Sequence, residues 1–192
     1  MQSFPLATTL LSTGVVALAE IGDKTQLLAL LLAARFRRPW PIIWGILVAT
    51  LLNHALAAWM GTLAATWLTP EVLRWVVAAS FIGIALWTLK PDTLDEDESS
   101  LPARGAFIAT TIAFFIAEIG DKTQVATVLL AARYTPMWEV VLGTTIGMLL
   151  ANVPVVLLGA RFADRLPLKT ARIAAAVVFA LLGLWVALRG IG

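Results

Sequence analysis

With 192 residues, 60% of them hydrophobic and only 14% charged, and a mean hydropathy of +0.89, the chain is too apolar for a soluble domain or a disordered one. It reads as an integral membrane protein. The formal net charge of +2 points to no nucleic-acid partner, and the absence of cysteine removes disulfides and thiolate metal sites.

Apolar segments run over 6–34, 41–66, 72–89, 105–132, 138–160 and 170–188, each near or above the ~20 residues that cross a bilayer. They predict an all-α integral membrane fold of six transmembrane helices. Pro39, Pro41, Pro70, Pro91, Pro136 and Pro167 fall between the segments, where proline ends or restarts a helix. Trp40, Trp44, Trp67, Trp75 and Trp138 stand near predicted helix ends, as an interfacial aromatic belt requires. No basic residue precedes Lys24, and the first apolar run carries a charged motif, so a cleaved signal peptide is not expected.

That motif, A-E-I-G-D-K-T-Q, occurs twice, at 19–26 and at 117–124. Each copy sets two carboxylates and a lysine in a predicted span, where an ionisable group costs roughly 3 kcal/mol or more at the centre. On an unbroken helix Glu20, Asp23 and Lys24 share one face, as do Glu118, Asp121 and Lys122. That face must avoid lipid. Counting from Leu6, Glu20 lies about 21 Å along the first helix, at mid-membrane depth for a tilted or broken span. Gly22 and Gly120 sit where each helix can open, and irregular backbone at that depth must line a cavity or be buried in protein.

The halves match without a gap at an offset of 98: Glu20 with Glu118, Trp40 with Trp138, Gly45 with Gly143, Gly61 with Gly159, Arg74 with Arg172, Phe81 with Phe179, Trp87 with Trp185. Matches so far outside the motif indicate duplication of a three-helix unit. The expected organisation is a first repeat at 1–89, an acidic linker at 90–104 and a second repeat at 105–192. Because three is odd, the second unit enters the bilayer from the opposite side, which makes two inverted repeats. With both termini external, the inner side holds Arg35, Arg37, Arg38, Lys90, Arg104, Arg161, Arg165, Lys169 and Arg172, against only Arg74, Arg133 and Arg189 outside. The bias of nine to three sets this orientation and makes the linker cytoplasmic. The linker, K-P-D-T-L-D-E-D-E-S-S-L-P-A-R, lacks the ligand spacing of an EF-hand loop and reads as a solvated tether.

Two motif helices crossing near the midplane bring four carboxylates together, Glu20, Asp23, Glu118 and Asp121, with Thr25, Gln26, Thr123 and Gln124 as further oxygen donors. Hard oxygen ligands in that number suit Ca²⁺, Mn²⁺ or Mg²⁺ rather than Cu or Zn. The competing structural reading makes Glu20 with Lys24 a helix-locking ion pair. Each copy then still carries one carboxylate too many, which a metal or a proton must neutralise. Lys24 and Lys122 either tune the carboxylates or hold the helix pair. His54, Asn53 beside it and Asn152 at the position equivalent to His54 are secondary candidates, for proton coupling or for helix packing. Gly45, Gly61, Gly143, Gly147 and Gly159 are expected at close helix contacts, with the hydroxyls of Ser80, Thr110 and Thr144 satisfied by their own helices.

The doubled E-I-G-D-K-T with a following Gln resembles the signature of a small cation/proton exchanger family that includes bacterial manganese exporters and the Golgi manganese and calcium transporters of eukaryotes. The resemblance covers essentially the whole chain. It implies export of Mn²⁺ or Ca²⁺ against protons, with Glu20, Asp23, Glu118 and Asp121 as the cation site and Lys24, Thr25, Lys122 and Thr123 as signature positions. A bacterial plasma (inner) membrane is the expected location, and no cofactor is expected beyond the transported ion. Three other readings stand beside it: a LysE-like small-solute exporter, a membrane assembly protein without transport, and an intramembrane aspartyl protease built on Asp23 and Asp121. The protease fits poorly, since each aspartate follows E-I-G. No nucleotide-binding motif supports drive by ATP.

Overall fold

The computed structural model describes residues 6–90, 105–159 and 168–190. The acidic linker beyond Lys90, together with Arg104, Arg161 and Arg165, lies outside the described residues. The described residues form eight helices and no strand: α1 (Ala7–Glu20), α2 (Lys24–Phe36), α3 (Pro39–Trp67), α4 (Pro70–Thr88), α5 (Ala106–Glu118), α6 (Lys122–Arg133), α7 (Met137–Leu158) and α8 (Leu168–Arg189). Four of these are long and apolar enough to cross a membrane: α3, α4, α7 and the 172–189 stretch of α8.

The other four form two pairs. Each first apolar segment of a half, expected as one helix over 6–34 or 105–132, is divided at its motif into α1 and α2 or α5 and α6. The cause is local. Gly22 and Gly120 adopt φ of 82° and 75°, a left-handed conformation that glycine enters without steric cost, and the aspartate that follows restarts the helix as an N-cap. Asp23 accepts from the Thr25 amide at 3.5 Å and Asp121 from the Thr123 amide at 3.3 Å. Glu20, Asp23 and Lys24 therefore do not share the face of one helix: Glu20 ends α1, Asp23 caps α2 and Lys24 opens it.

Elsewhere the ends follow proline chemistry. Pro39 opens α3, and Thr69 caps α4 ahead of Pro70, where the missing N–H of proline removes no helical bond. Arg37 closes α2 in the left-handed region with φ of 51°.

Large apolar side chains cover the outside, including Trp40, Trp44, Trp67, Trp75 and Trp138, these five being of the type that favours a membrane–water interface. Small residues bring the helices together inside. A Cβ on Gly45 would stand 2.9 Å from the Phe107 carbonyl oxygen, and one on Gly147 would stand 2.7 Å from that of Thr13. Gly61 meets the backbone at Val128, and Gly143 meets it at Thr9. Gly159 differs from expectation: its φ is 65°, no atom of the described residues lies within 4 Å of where its Cβ would stand, and it ends α7. Thr110 and Thr144 donate to the carbonyls of Ala106 and Val140 in their own helices.

The contacts cross between the halves. α1 lies along α7, α5 lies along α3, and α4 pairs with α8. Thr9 and Thr13 of α1 donate to the carbonyls of Glu139 and Gly143 at 3.3 and 3.0 Å, so α1 and α7 run in the same direction. Arg74, near the start of α4, donates to the Ala187 carbonyl near the end of α8, so that pair is antiparallel. Phe81 and Phe179 stack between α4 and α8 with centroids 6.2 Å apart.

Candidate functional site

The two breaks in the helices meet inside the bundle. Glu20 and Glu118 end α1 and α5, where the last backbone carbonyls present partial negative charge, and Asp23 and Asp121 cap the helices that follow. Glu20, Asp23 and Glu118 are fully buried, and Asp121 is nearly so. Carboxylate oxygens of Glu20, Asp23 and Asp121 lie within 4.8 Å of one another. Three acids from two copies of the motif thus share one water-poor space. Glu118 stands outside this triad, with Oε2 3.8 Å from Nε2 of His54 on α3.

The lysines do not simply pair within their own copies. Lys122 of the second copy is ion-paired with Asp23 of the first, both buried, and Lys24 of the first copy is close enough to act electrostatically on Glu118 and Asp121 of the second.

The supporting residues split into those that hold the breaks open and those that face the acids. Gln26 folds back to accept from the Gly22 amide at 2.9 Å, and Gln124 does the same for Gly120 at 2.7 Å. Each glutamine also reaches the opposite half: Gln26 donates to the Ala151 carbonyl at 2.9 Å, and Gln124 donates to the Asn53 side chain. Asn53 in turn donates to the Phe115 carbonyl at 3.2 Å. Thr25 donates to Glu20, and Thr123 to Glu118 at 3.3 Å. Asn152 of α7 reaches Glu20 at 3.5 Å, as His54 faces Glu118. Every sequence-predicted site residue lies in this one region, with Glu118 and His54 beside the triad rather than in it.

The partners that sequence reasoning missed are mostly backbone: the carbonyls of Ala151 and Phe115, and Met148, whose carbonyl and sulfur accept from Asn152 at 3.1 and 3.0 Å. A backbone carbonyl leaves no residue-type signal.

Among the described residues, Glu20 Oε1, Glu118 Oε1, Asn152 Oδ1 and both His54 ring nitrogens are buried without a hydrogen-bond partner. Unmet acceptors beside clustered carboxylates are a chemistry that a cation satisfies and that an empty apolar core does not tolerate. Oxygen donors dominate, and Ca²⁺, Mg²⁺ and Mn²⁺ take such donors.

The sequence matches the family described as "Divalent cation/proton antiporter GDT1" over residues 8–96 and 106–192. It is 57% identical over 175 residues to a Vibrio cholerae protein named "Putative manganese exporter", covering 91% of this chain and 87% of the relative. A GDT1-like protein of Synechocystis is 26% identical, with 86% of this chain and 89% of the relative covered. GDT1-like protein 5 of Arabidopsis thaliana is 27% identical, with 90% and 92% covered. No solved structure matches the chain. With nearly the whole length matched in two blocks, the chain belongs to the divalent cation/proton antiporter GDT1 family, whose members are transporters rather than enzymes.

Proposed function

We propose that this protein exports Mn²⁺ from the cytoplasm in exchange for protons, with Glu20, Asp23, Asp121 and Glu118 holding the cation at the meeting of the two broken helices. The observation that carries the reading is the buried triad, whose oxygens come from both motif copies and lie within 4.8 Å of one another. The manganese in the name of the Vibrio relative supports the choice of ion. Ca²⁺ is the alternative cargo, since it takes the same oxygen donors.

The architecture proposed is two inverted repeats, 1–89 and 105–192, each of three membrane spans, with the broken pairs α1–α2 and α5–α6 each counting as one. Reciprocal contacts support it. Gly45 faces Phe107 as Gly143 faces Thr9, Glu118 faces His54 as Glu20 faces Asn152, and Gln124 reaches Asn53 as Gln26 reaches Ala151. Each pair becomes the other when 98 is added to one residue and subtracted from its partner. Phe81 and Phe179 are equivalent and touch each other, which is the behaviour of residues on a two-fold axis. The parallel course of α1 and α7 and the antiparallel course of α4 and α8 fit the inverted arrangement, and the excess of Lys and Arg on one side favours external termini and a cytoplasmic 90–104 linker. A bacterial inner membrane, with its positive-inside bias, fits the same orientation.

Exchange follows from charge. Four carboxylates and two lysines leave the site two units negative when all are ionised, and one divalent cation or two protons cancel that. An empty, charged site is costly to move through a low-dielectric interior. The test is purified protein in vesicles: an imposed pH gradient drives Mn²⁺ flux, and Glu20→Gln abolishes it. Absence of proton-driven flux of any divalent cation would overturn the reading.

A further inference from the structure

His54 is the one histidine in the chain. It is fully buried, and neither ring nitrogen has a hydrogen-bond partner among the described residues. An imidazole kept for helix packing would use at least one of them, because a buried polar atom left unpaired costs about 1–3 kcal/mol. Instead Nε2 is directed at Glu118, 3.8 Å from Oε2. That separation is too long for a hydrogen bond. It falls between the donor–donor spacings of about 3 Å for adjacent and about 4.2 Å for opposed ligands on an ion with bonds of about 2.1 Å. The other carboxylate oxygen of Glu118 is also unpartnered.

The position matters because its counterpart differs. At the equivalent place in the second half stands Asn152, which faces Glu20 with an amide. A site of two matched halves thus carries a single nitrogen donor on one side. We propose that His54 is a ligand of the transported cation and sets the preference of the site for a first-row transition metal over Ca²⁺ and Mg²⁺. The inference rests on the transport reading above and adds its selectivity. Carboxylates and amides alone do not separate Mn²⁺ from Ca²⁺ or Mg²⁺, whereas a nitrogen donor lies outside the oxygen sets that Ca²⁺ and Mg²⁺ take and draws a site towards first-row metals, of which Mn²⁺ is the one that also accepts the surrounding oxygens. Thr50, one turn earlier on α3, is also buried with its hydroxyl unpartnered.

The test uses full-length protein purified without a histidine tag, so that His54 is the only imidazole present. Mn²⁺ bound to it is examined by pulsed electron paramagnetic resonance, before and after labelling histidine with ¹⁵N. The expected result is a nitrogen coupling that changes isotope with the label. In vesicles, His54→Asn, which copies the other half, is expected to lower the ratio of Mn²⁺ to Ca²⁺ flux at least about tenfold, since changes outside the first ligand shell already cost about 10–100-fold. Bound Mn²⁺ without histidine nitrogen coupling, or an unchanged flux ratio in His54→Asn, overturns the assignment. If wild-type protein moves Mn²⁺ against a pH gradient while either of these holds, only His54 loses its role; if it moves no divalent cation, both readings fall.

Discussion

Lys122 opens α6 and is ion-paired with Asp23, which caps α2, so the positive charge of one motif copy neutralises an acid of the other. The pair ties the two breaks together across the bundle. It also leaves Glu20 and Asp121 as the triad acids outside that pair.

Removing one partner of a buried pair strands the other charge, which costs about 3–5 kcal/mol. Lys122→Met is therefore expected to lower the thermal midpoint of the purified protein sharply. Asp23→Asn combined with Lys122→Met should recover part of the loss. Equal midpoints for wild type and Lys122→Met would show that the pair contributes nothing.

If the triad is one shared site, acids from either copy matter alike. Glu20→Gln, Asp23→Asn, Glu118→Gln and Asp121→Asn are each expected to reduce Mn²⁺ flux by more than the ~10–100-fold typical of changes outside the first ligand shell. Full flux after neutralising both acids of either copy would mean two independent sites.

The breaks themselves require glycine. Ala at Gly22 or Gly120 must enter a left-handed conformation at about 1–2 kcal/mol, although Gly120 has open space around it. We expect each variant to lose that much stability and to lose most of its transport, because the acids on both sides of the break are displaced. Gly14→Ala, within α1 and also in open space, serves as control and should stabilise by up to about 1 kcal/mol. Normal transport in Gly22→Ala would show that the opened backbone is dispensable.

Exchange of one divalent cation for two protons moves no net charge. In vesicles, a pH gradient should drive flux, whereas a membrane potential at equal pH on both sides should not. Flux driven by potential alone would mean that another charge moves with the ion, with the lysines of the two motifs the first groups to examine.

Close helix contact offers a further check away from the acids. A side chain at Gly147 would meet the Thr13 carbonyl and push α1 from α7, carrying Glu20 away from Asn152. Gly147→Val is expected to cost about 1–3 kcal/mol through overpacking and to slow transport with no ligand changed. An unaltered thermal midpoint would indicate that α1 and α7 separate freely.

Much of this protein was legible in the residues alone. Hydropathy over 192 residues established the membrane class, and the motif recurs at an offset of 98, from Glu20 to Glu118. Carboxylates in apolar runs marked the candidate site, because such a cost must be met by function or pairing. All of these are properties of the chain read locally or by self-comparison. Tertiary structure decided which groups meet. An i,i+4 spacing pointed to Glu20 with Lys24 on one helix face, but the left-handed Gly22 ended that helix, and packing of the two halves put Lys122 against Asp23 instead. The same packing turned Glu118 towards His54 and left Glu20, Asp23 and Asp121 as the triad. Partners about a hundred residues apart are chosen by how broken helices cross, and identical octapeptides carry no record of that choice. One departure from symmetry in residue type at the acids, His54 opposite Asn152, was visible in the sequence; only the fold showed that each faces a glutamate of the other half.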